Sequence, residues 1–296
     1  MARSSAVVYG MREKRMVSKV QLARLPIIDL SLFELGDPWR DQVAALIDSA
    51  SSEFGVFYVV GHGIDSAFVD PLVAASRRFF AAEEAVQSQL ATYGTAATSA
   101  IAMRGPILLP EVPGFREPVL DYMRSLTGLG HKLMAMIARG LLLQDSYFVD
   151  RLTGSPSTSF RIDDHPPVSE AQAEVEVRED AGYKGRGLLT ILKQDETAGL
   201  EFKLRNEWVE AFDIPHSFIC TVGDALAQLT NGRFRSPSQR VRSSSAAHRL
   251  SLRFGFDPSE GAVIEPLAGV GPAIPRTQFG DGQSAVIPGS ALRQLA

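Results

Sequence analysis

The spacing of apolar residues in this chain of 296 residues changes near residue 158, and this change constrains the fold more than any other feature. Before it, apolar residues recur every three or four positions, as Val43, Leu46, Ile47 and Ala50 do along a predicted helix. After it, apolar and polar residues alternate in short segments separated by turn signals. Helical spacing followed by many short alternating segments predicts an antiparallel sandwich or barrel carried on helices.

The first half of the chain predicts two main helices and two short strands. Asp37 is expected to be the N-cap of the first helix, which carries the apolar stripe described above. The second helix is predicted at about 118–143, and the strands at 25–30 and 57–60. These elements would support the strand-rich half.

The second half predicts a series of strands within a single domain. Asn231-Gly232 is a strong signal for the tight turn that joins two strands. We expect one domain, 1–296, with a helical support region at about 20–157, a strand core at about 158–260 and a C-terminal extension at 261–296. The strands are predicted at 188–193, 200–204, 208–212, 217–222 and 249–256.

Composition excludes several classes of partner. The formal net charge is -4 and the pI is near 5.8, so neither nucleic acid nor an anionic membrane is expected as the main partner. No apolar run reaches the roughly 20 residues of a membrane helix. The single cysteine, Cys220, lies in an apolar segment, where a core residue is favoured over a catalytic thiol. One cysteine cannot form an internal disulfide, so a cytoplasmic protein is expected.

The segment at 249–254 predicts a strand with two different faces. Alternation places arginine and serine on one face and apolar residues on the other. The polar face either lines an anion site or faces solvent on an edge strand. The polar residues are Arg249, Ser251 and Arg253, and the apolar residues are Leu250, Leu252 and Phe254.

Five segments in order resemble the isopenicillin N synthase-like branch of the iron/2-oxoglutarate dioxygenases. They are 25–30, 54–64, 187–195, 231–236 and 249–258. The resemblance implies a mainly β fold with α-helices: a double-stranded β-helix, also called a jelly roll and similar to the cupins. N-terminal helices would support it, and its mouth would hold the active site.

The same resemblance points to an altered metal site. Members of this family bind iron through a His-x-Asp pair and a more distant His. Tyr183, Gly185 and Gln239 stand at these three positions, and 239 - 183 = 56 is the expected separation of the two histidines. Tyrosine and glutamine are poor ligands for Fe(II) and glycine is none, so we expect no bound metal and no required cofactor.

The resemblance also implies that an anion site is retained. Arg249 and Ser251 match the family's Arg-x-Ser, which grips a carboxylate, and guanidinium with hydroxyl suits that task. Asp163 and His165 fall on the family's Asn-x-Tyr-Pro-Pro strand, on the face that looks into the pocket. Whether 2-oxoglutarate is the anion stays open.

The candidate residues have two interpretations each. Tyr183 is either a general acid or base with a pKa lowered by nearby cations, or a filler of the metal's volume. His165 beside Asp163 either transfers protons or is structural. Lys184 and Arg186 either close over an anion or are solvated. The predicted catalytic residues are Tyr183, His165 and Asp163, and the predicted substrate-binding residues are Arg249, Ser251, Arg253, Lys184, Arg186 and Gln239.

Three functions follow from these residues. The favoured hypothesis is a metal-independent, non-oxidative enzyme of the lyase, isomerase or cyclase type, acting on a small carboxylate-bearing metabolite of specialised metabolism. The second is an iron/2-oxoglutarate-type oxygenase with relocated metal ligands that include His165 and Asp163. The third is a non-catalytic pseudoenzyme that binds a ligand or a related oxygenase. A small anionic molecule is the expected partner, with homo-oligomerisation or pairing with such an oxygenase in addition.

Overall fold

The computed structural model describes residues 25–80, 99–104, 114–165, 177–179, 187–195, 199–242, 249–270 and 277–278. Its helices are a 3-10 helix at Leu30–Leu35, α1 at Asp37–Glu53, α2 at Ser66–Phe80, α3 at Arg116–Gly140, α4 at Tyr147–Arg151 and α5 at Asp224–Leu229. Its first strands are β1 at Ile27–Asp29, β2 at Val56–Val60, β3 at Ser99–Arg104, β4 at Ser157–His165, β5 at Val177–Glu179 and β6 at Leu189–Gln194. The later strands are β7 at Leu200–Leu204, β8 at Glu207–Glu210, β9 at Phe218–Val222, β10 at Gln239–Arg242, β11 at Arg249–Asp257, β12 at Val263–Ile264 and β13 at Thr277–Gln278.

The strands form a larger sheet, a smaller sheet and a two-stranded ribbon. The larger sheet has seven strands in the order β1-β2-β9-β6-β11-β4-β3, and the smaller has four in the order β5-β10-β7-β8. β11 lies inside the larger sheet and pairs antiparallel with β4 on one side and β6 on the other. The predicted arrangement of helices followed by antiparallel strands is confirmed. The division of the chain into three regions stays a prediction.

One apolar core lies between the helices and the larger sheet. Alternate residues of the central strands, among them Phe57, Ile191 and Phe254, contribute fully buried side chains to it. α3 contributes an apolar stripe that includes Tyr122 and Leu126, as its helical spacing predicts. This core stabilises the sheet against its helical support.

A second core lies between the two sheets. It joins Tyr58 and Leu192 of the larger sheet to Phe202 and Val209 of the smaller one. Leu192 alternates along β6 with Ile191, which belongs to the first core. The larger sheet is therefore buried on both faces, and its second face lies inside the jelly roll.

Three local predictions are wrong. Gly36, and not Asp37, is the N-cap of α1, and Asp37 begins the helix. Leu46 is 45% exposed and does not belong to the buried stripe, because it lies on a side of α1 that faces solvent. Asn231 and Gly232 do form a turn, with positive φ at both residues, but it follows α5 and does not join two strands.

Two expectations about burial and membranes can be compared with the structure. Cys220 is fully buried, and burial raises the pKa of its thiol, so the core interpretation is confirmed. Among the described residues, no helix is long and apolar enough to cross a membrane.

Close packing of α3 on β11 gives a test of the helix–sheet interface. A Cβ added at Gly130 would overlap the ring of Phe256. We expect Gly130→Ala to destabilise the protein by about 1–3 kcal/mol through overpacking. Thermal unfolding should then occur a few degrees lower.

Gly128 is the matched control because it lies on the same helix with nothing within 4 Å of its added Cβ. Gly128→Ala should stabilise the helix by up to about 1 kcal/mol. Equal effects of the two substitutions would show that the contact with Phe256 does not limit the packing.

Candidate active site

Pairing of β4 with β11 brings five of the predicted site residues onto one face of the larger sheet: Asp163, His165, Arg249, Ser251 and Arg253. Directly opposite residues of an antiparallel pair project to the same face. The three opposite pairs are His165 with Arg249, Asp163 with Ser251, and Arg161 with Arg253. Sequence reasoning missed Arg161, although it alternates with Asp163 and His165 and so shares their face.

This polar face lies inside the jelly roll. Arg253 is opposite Leu192 of β6, and Leu192 belongs to the core between the two sheets. Arg249 and Ser251 are only 3% and 2% exposed. The alternative of a solvent-facing edge strand is therefore wrong, because β11 has a partner strand on each side.

Arg249 carries a positive charge into this interior without full hydrogen bonding. Its Nε and Nη1 atoms are buried and have no hydrogen-bond partner in the part of the chain that the structure describes. Burial lowers the pKa of its guanidinium to about 10, and repulsion from Arg253 adds to this, while Asp195 and Asp163 oppose it. Buried donors without acceptors are costly, so the site is suited to an anionic ligand.

Asp195 holds the backbone beside Arg249. Its Oδ2 accepts a hydrogen bond of 2.6 Å from the backbone N–H of Leu250, and its own N–H donates to the carbonyl of Leu250 at 3.1 Å. These two bonds fix the first residues of β11. From the sequence alone, Asp195 is only part of a motif. Its contact with Leu250 could not be predicted, because the two residues lie far apart along the chain.

Asp163 and Gln194 complete the polar face around Ser251. Nε of Arg161 donates to Asp163 Oδ1 at 2.5 Å, which partly balances the charges. Gln194, opposite Ser251 on β6, donates from Nε2 to the carbonyl of Ala211 at 2.7 Å. Its buried Oε1 accepts no hydrogen bond from the described residues. Gln194 thus offers an acceptor beside the anion site that sequence reasoning did not identify.

The remaining predicted residues come from other segments. Gln239 lies opposite Phe202 on β7, so it projects from the smaller sheet toward the interior and is half-buried. Tyr183, Lys184 and Arg186 lie outside the described residues, as does Gly185. Their predicted roles stay predictions.

A separate cavity of about 540 Å³ lies on the opposite face of the larger sheet. Leu250 and Leu252 line it, and they alternate with Arg249 and Ser251 along β11. His62 also lines it and is structural there: its Nδ1 accepts from Ile64 and its Nε2 contacts the carbonyl of His216. Gln194 and Asp195 line this cavity as well, whereas Arg249 and Ser251 do not.

Two family profiles match the chain. Residues 25–101 match the profile described as non-haem dioxygenase in morphine synthesis N-terminal, and residues 164–258 match 2OG-Fe(II) oxygenase superfamily. The two matches together take in more than half of the chain. With the jelly roll and its interior arginine, they identify the class of protein: the chain belongs to the iron/2-oxoglutarate oxygenase family.

Named relatives and solved structures agree with this family. A "Probable iron/ascorbate oxidoreductase" of Dictyostelium discoideum is 28% identical, with 86% of each chain covered. The "Homoarginine-6-hydroxylase" of Arabidopsis thaliana is 29% identical, with 82% of this chain and 87% of that protein covered. The solved structure of the dioxygenase for auxin oxidation in rice has a TM-score of 0.73 at 22% identity, covering 92% of this chain and 95% of that one. The last similarity confirms the double-stranded β-helix fold.

These findings correct three expectations from the sequence. The metal-independent, non-oxidative function is wrong, because the relatives are named as oxidoreductase and hydroxylase. The lyase, isomerase or cyclase assignment is wrong for the same reason. The expectation of no cofactor is also wrong, because the matching family is described as 2OG-Fe(II) oxygenases. The error came from treating three ligand positions as sufficient to decide the chemistry of the whole chain.

The described residues fit 2-oxoglutarate better than they fit iron. Buried, unpartnered donors on Arg249 beside Ser251 fit a carboxylate of 2-oxoglutarate. Iron has no such match: within the described residues, no three His, Cys, Asp or Glu side chains are grouped to hold a metal. Gln239 offers only an amide.

The incomplete hydrogen bonding of Arg249 makes a prediction about stability. We expect Arg249→Met to stabilise the ligand-free protein by about 1–3 kcal/mol, since buried donors without acceptors are removed. Urea unfolding monitored by circular dichroism would measure this change in the free energy of unfolding. Arg205→Met is the control, because Arg205 has a side chain that is 77% exposed, and a change within about 0.5 kcal/mol is expected. A loss of several kcal/mol at Arg249 would instead make it a structural residue.

Proposed function

We propose that this protein is an oxidative enzyme that uses 2-oxoglutarate and binds one of its carboxylates on Arg249 and Ser251. The observation that carries the proposal is the burial of Arg249 with two unpartnered donor atoms inside the jelly roll. Membership of the iron/2-oxoglutarate family supports the choice of this anion. Oxidative decarboxylation of 2-oxoglutarate to succinate and carbon dioxide would supply two of the four electrons that reduce dioxygen, and oxidation of the second substrate would supply the other two.

The chain's own residues bind and orient this anion. The guanidinium of Arg249 donates parallel hydrogen bonds to a carboxylate, and the hydroxyl of Ser251 donates a further one. Asp195 keeps the guanidinium in place through the backbone of Leu250. His165 lies directly opposite Arg249 on the same face. Enclosure between the sheets excludes water and strengthens these interactions.

Turnover of 2-oxoglutarate tests the proposal. Wild-type protein supplied with Fe(II), oxygen, 2-oxoglutarate and ascorbate as reductant should form succinate even without a second substrate, at a slow rate. Arg249→Met should lower this rate and 2-oxoglutarate affinity by about tenfold to a hundredfold, as expected for a lost charge-assisted hydrogen bond. Mass spectrometry of succinate gives the rate, and calorimetry gives the affinity for 2-oxoglutarate.

The exposed Arg205→Met variant should retain both rate and affinity. If wild-type protein neither binds 2-oxoglutarate nor forms succinate, the proposal is wrong. If Arg249→Met binds as tightly as the wild type, the carboxylate lies elsewhere.

We propose further that His165 and Asp163 take part in holding iron. Both are metal-binding residue types, and both share the face of the anion site. They lie two positions apart on β4, as the two donors of the family's His-x-Asp pair do. A metal held there would be next to the carboxylate bound by Arg249.

Metal content tests this arrangement without relying on activity. Protein incubated anaerobically with Fe(II) and desalted should hold about one iron per chain by elemental analysis, and His165→Ala should lose most of it. His131→Ala is the control, because His131 lies on α3 against Phe256, outside the jelly roll. Full iron content in His165→Ala would place the metal elsewhere, and negligible iron in the wild type would exclude a tight site.

A further inference from the structure

The proposed reaction gives no role to the cavity of about 540 Å³ on the helix-facing side of the larger sheet. Its volume is that of a pocket for a small organic molecule. α2 lines it with Val69 and Val73, and β11 lines it with Leu250 and Leu252. These aliphatic side chains suit a short apolar group of a ligand.

An ion pair lies among these aliphatic residues. Nζ of Lys193 is 3.3 Å from Oδ1 of Asp213, and both residues line the cavity. Their side chains are only 22% and 10% exposed. Lys193 lies directly opposite Leu252, on the face of β6 that also carries the fully buried Ile191. A largely buried ion pair stabilises a fold no more than a well-packed apolar pair does, so stability alone does not account for these two charges.

The ion pair keeps hydrogen-bonding capacity for a ligand. An ammonium group has three donors, and within the described residues Lys193 forms one hydrogen bond, which Asp213 accepts. A carboxylate can accept several hydrogen bonds through its two oxygens. A ligand can therefore offer an acceptor to Lys193 and a donor to Asp213 while the contact between the two side chains remains.

The charges around the cavity disfavour a simple anion as its ligand. Histidines apart, the described residues that line it include two bases, Arg77 and Lys193, and three acids, Asp70, Asp195 and Asp213. Nη2 of Arg77 lies 3.7 Å from Oδ2 of Asp195, so each of the two bases already has a carboxylate beside it. A ligand with a carboxylate alone would be repelled by the three acids. A ligand with one charge of each sign adds no net charge to the cavity.

The spacing within the ion pair matches an α-amino acid. Standard bond lengths place the nitrogen of an amino acid roughly 3 Å from its nearer carboxylate oxygen. Nζ of Lys193 and Oδ1 of Asp213 are 3.3 Å apart. Two pairs of opposite charges with similar separations can align head to tail. An amine would leave the donors of Lys193 unused, and a carboxylate would leave the acceptors of Asp213 unused.

We infer that this cavity is a second binding site, which takes a small zwitterion of the class of α-amino acids with an apolar side chain. The ligand's ammonium binds Asp213, its carboxylate binds Lys193, and its side chain packs between Val73 and Leu252. Arg249 does not line this cavity, so the site is separate from the one proposed for 2-oxoglutarate. The inference does not depend on the proposed function.

Calorimetry with three probes tests this inference. 2-Aminohexanoate carries both charges, hexanoate lacks the ammonium, and 1-aminopentane lacks the carboxylate. Wild-type protein should bind 2-aminohexanoate about tenfold to a hundredfold more tightly than either of the others, as expected for one additional charge-assisted hydrogen bond. Arg249→Met should show the same preference, which excludes binding of the probes at the anion site as its source.

Two variants assign the preference to the ion pair. Asp213→Asn should bind 2-aminohexanoate no more tightly than hexanoate, because the partner of the ammonium has lost its charge. Lys193→Met should bind it no more tightly than 1-aminopentane. Asp48→Asn is the matched control, since Asp48 forms an ion pair with Arg233 and neither residue lines the cavity. This control should keep the full preference.

Val73→Trp tests the location without changing any charge. The larger side chain should fill the cavity and lower the affinity for 2-aminohexanoate at least tenfold. Val149→Trp is the control, because Val149 is 40% exposed on α4 and does not line the cavity. Cooperative thermal unfolding monitored by circular dichroism shows that both variants are folded.

Three results would overturn the inference. Wild-type protein binds none of the probes, or it binds hexanoate or 1-aminopentane as tightly as 2-aminohexanoate, or folded Val73→Trp keeps the wild-type affinity. Failure of the proposed function appears in other measurements, namely the binding of 2-oxoglutarate and the formation of succinate. Either proposal can therefore fail while the other stands.

Discussion

Pairing of β11 with a strand on each side is the constraint on which both the fold and the site depend. Because β4 and β6 satisfy its backbone hydrogen bonds along most of its length, neither face of β11 borders solvent at an edge. Its apolar residues pack against the helices, and its polar residues are enclosed between the two sheets. Burial of Arg249 and Arg253 is therefore a consequence of topology. Only a ligand or other buried groups can compensate the positive charges of these two arginines.

The stability of the protein and its binding function oppose each other at this face. Buried guanidinium donors without acceptors cost free energy that the two apolar cores must offset. In the proposed function, the same unsatisfied donors would give the ligand its affinity, because the anion would replace hydrogen bonds that folding removed. Asp195 fixes the backbone at Leu250, the residue that follows Arg249.

Sequence patterns predicted those features that depend on neighbouring residues. Alternation placed Arg249, Ser251 and Arg253 on one face, and the family resemblance added Asp163 and His165. Neither revealed that Arg253 lies opposite Arg161, because strand register depends on pairing between segments far apart in the chain. Leu46 was placed in the core because helical spacing alone does not define how wide a stripe the neighbouring elements cover. The chemistry was mispredicted because absent ligands were given more weight than the rest of the chain.

The charges on the polar face connect the two cofactors of the proposed function. An iron ion near Asp163 and His165 would enter a region with three guanidinium groups and one carboxylate, so repulsion opposes its binding. Arg161 also competes for the carboxylate of Asp163. A bound anion would reduce this repulsion, since it would neutralise part of the positive charge of the arginines. Anion and metal binding are then thermodynamically linked, and each strengthens the other by the same factor. In the proposed function, the anion site is the part that the strands build in advance, and a bound anion would strengthen metal binding.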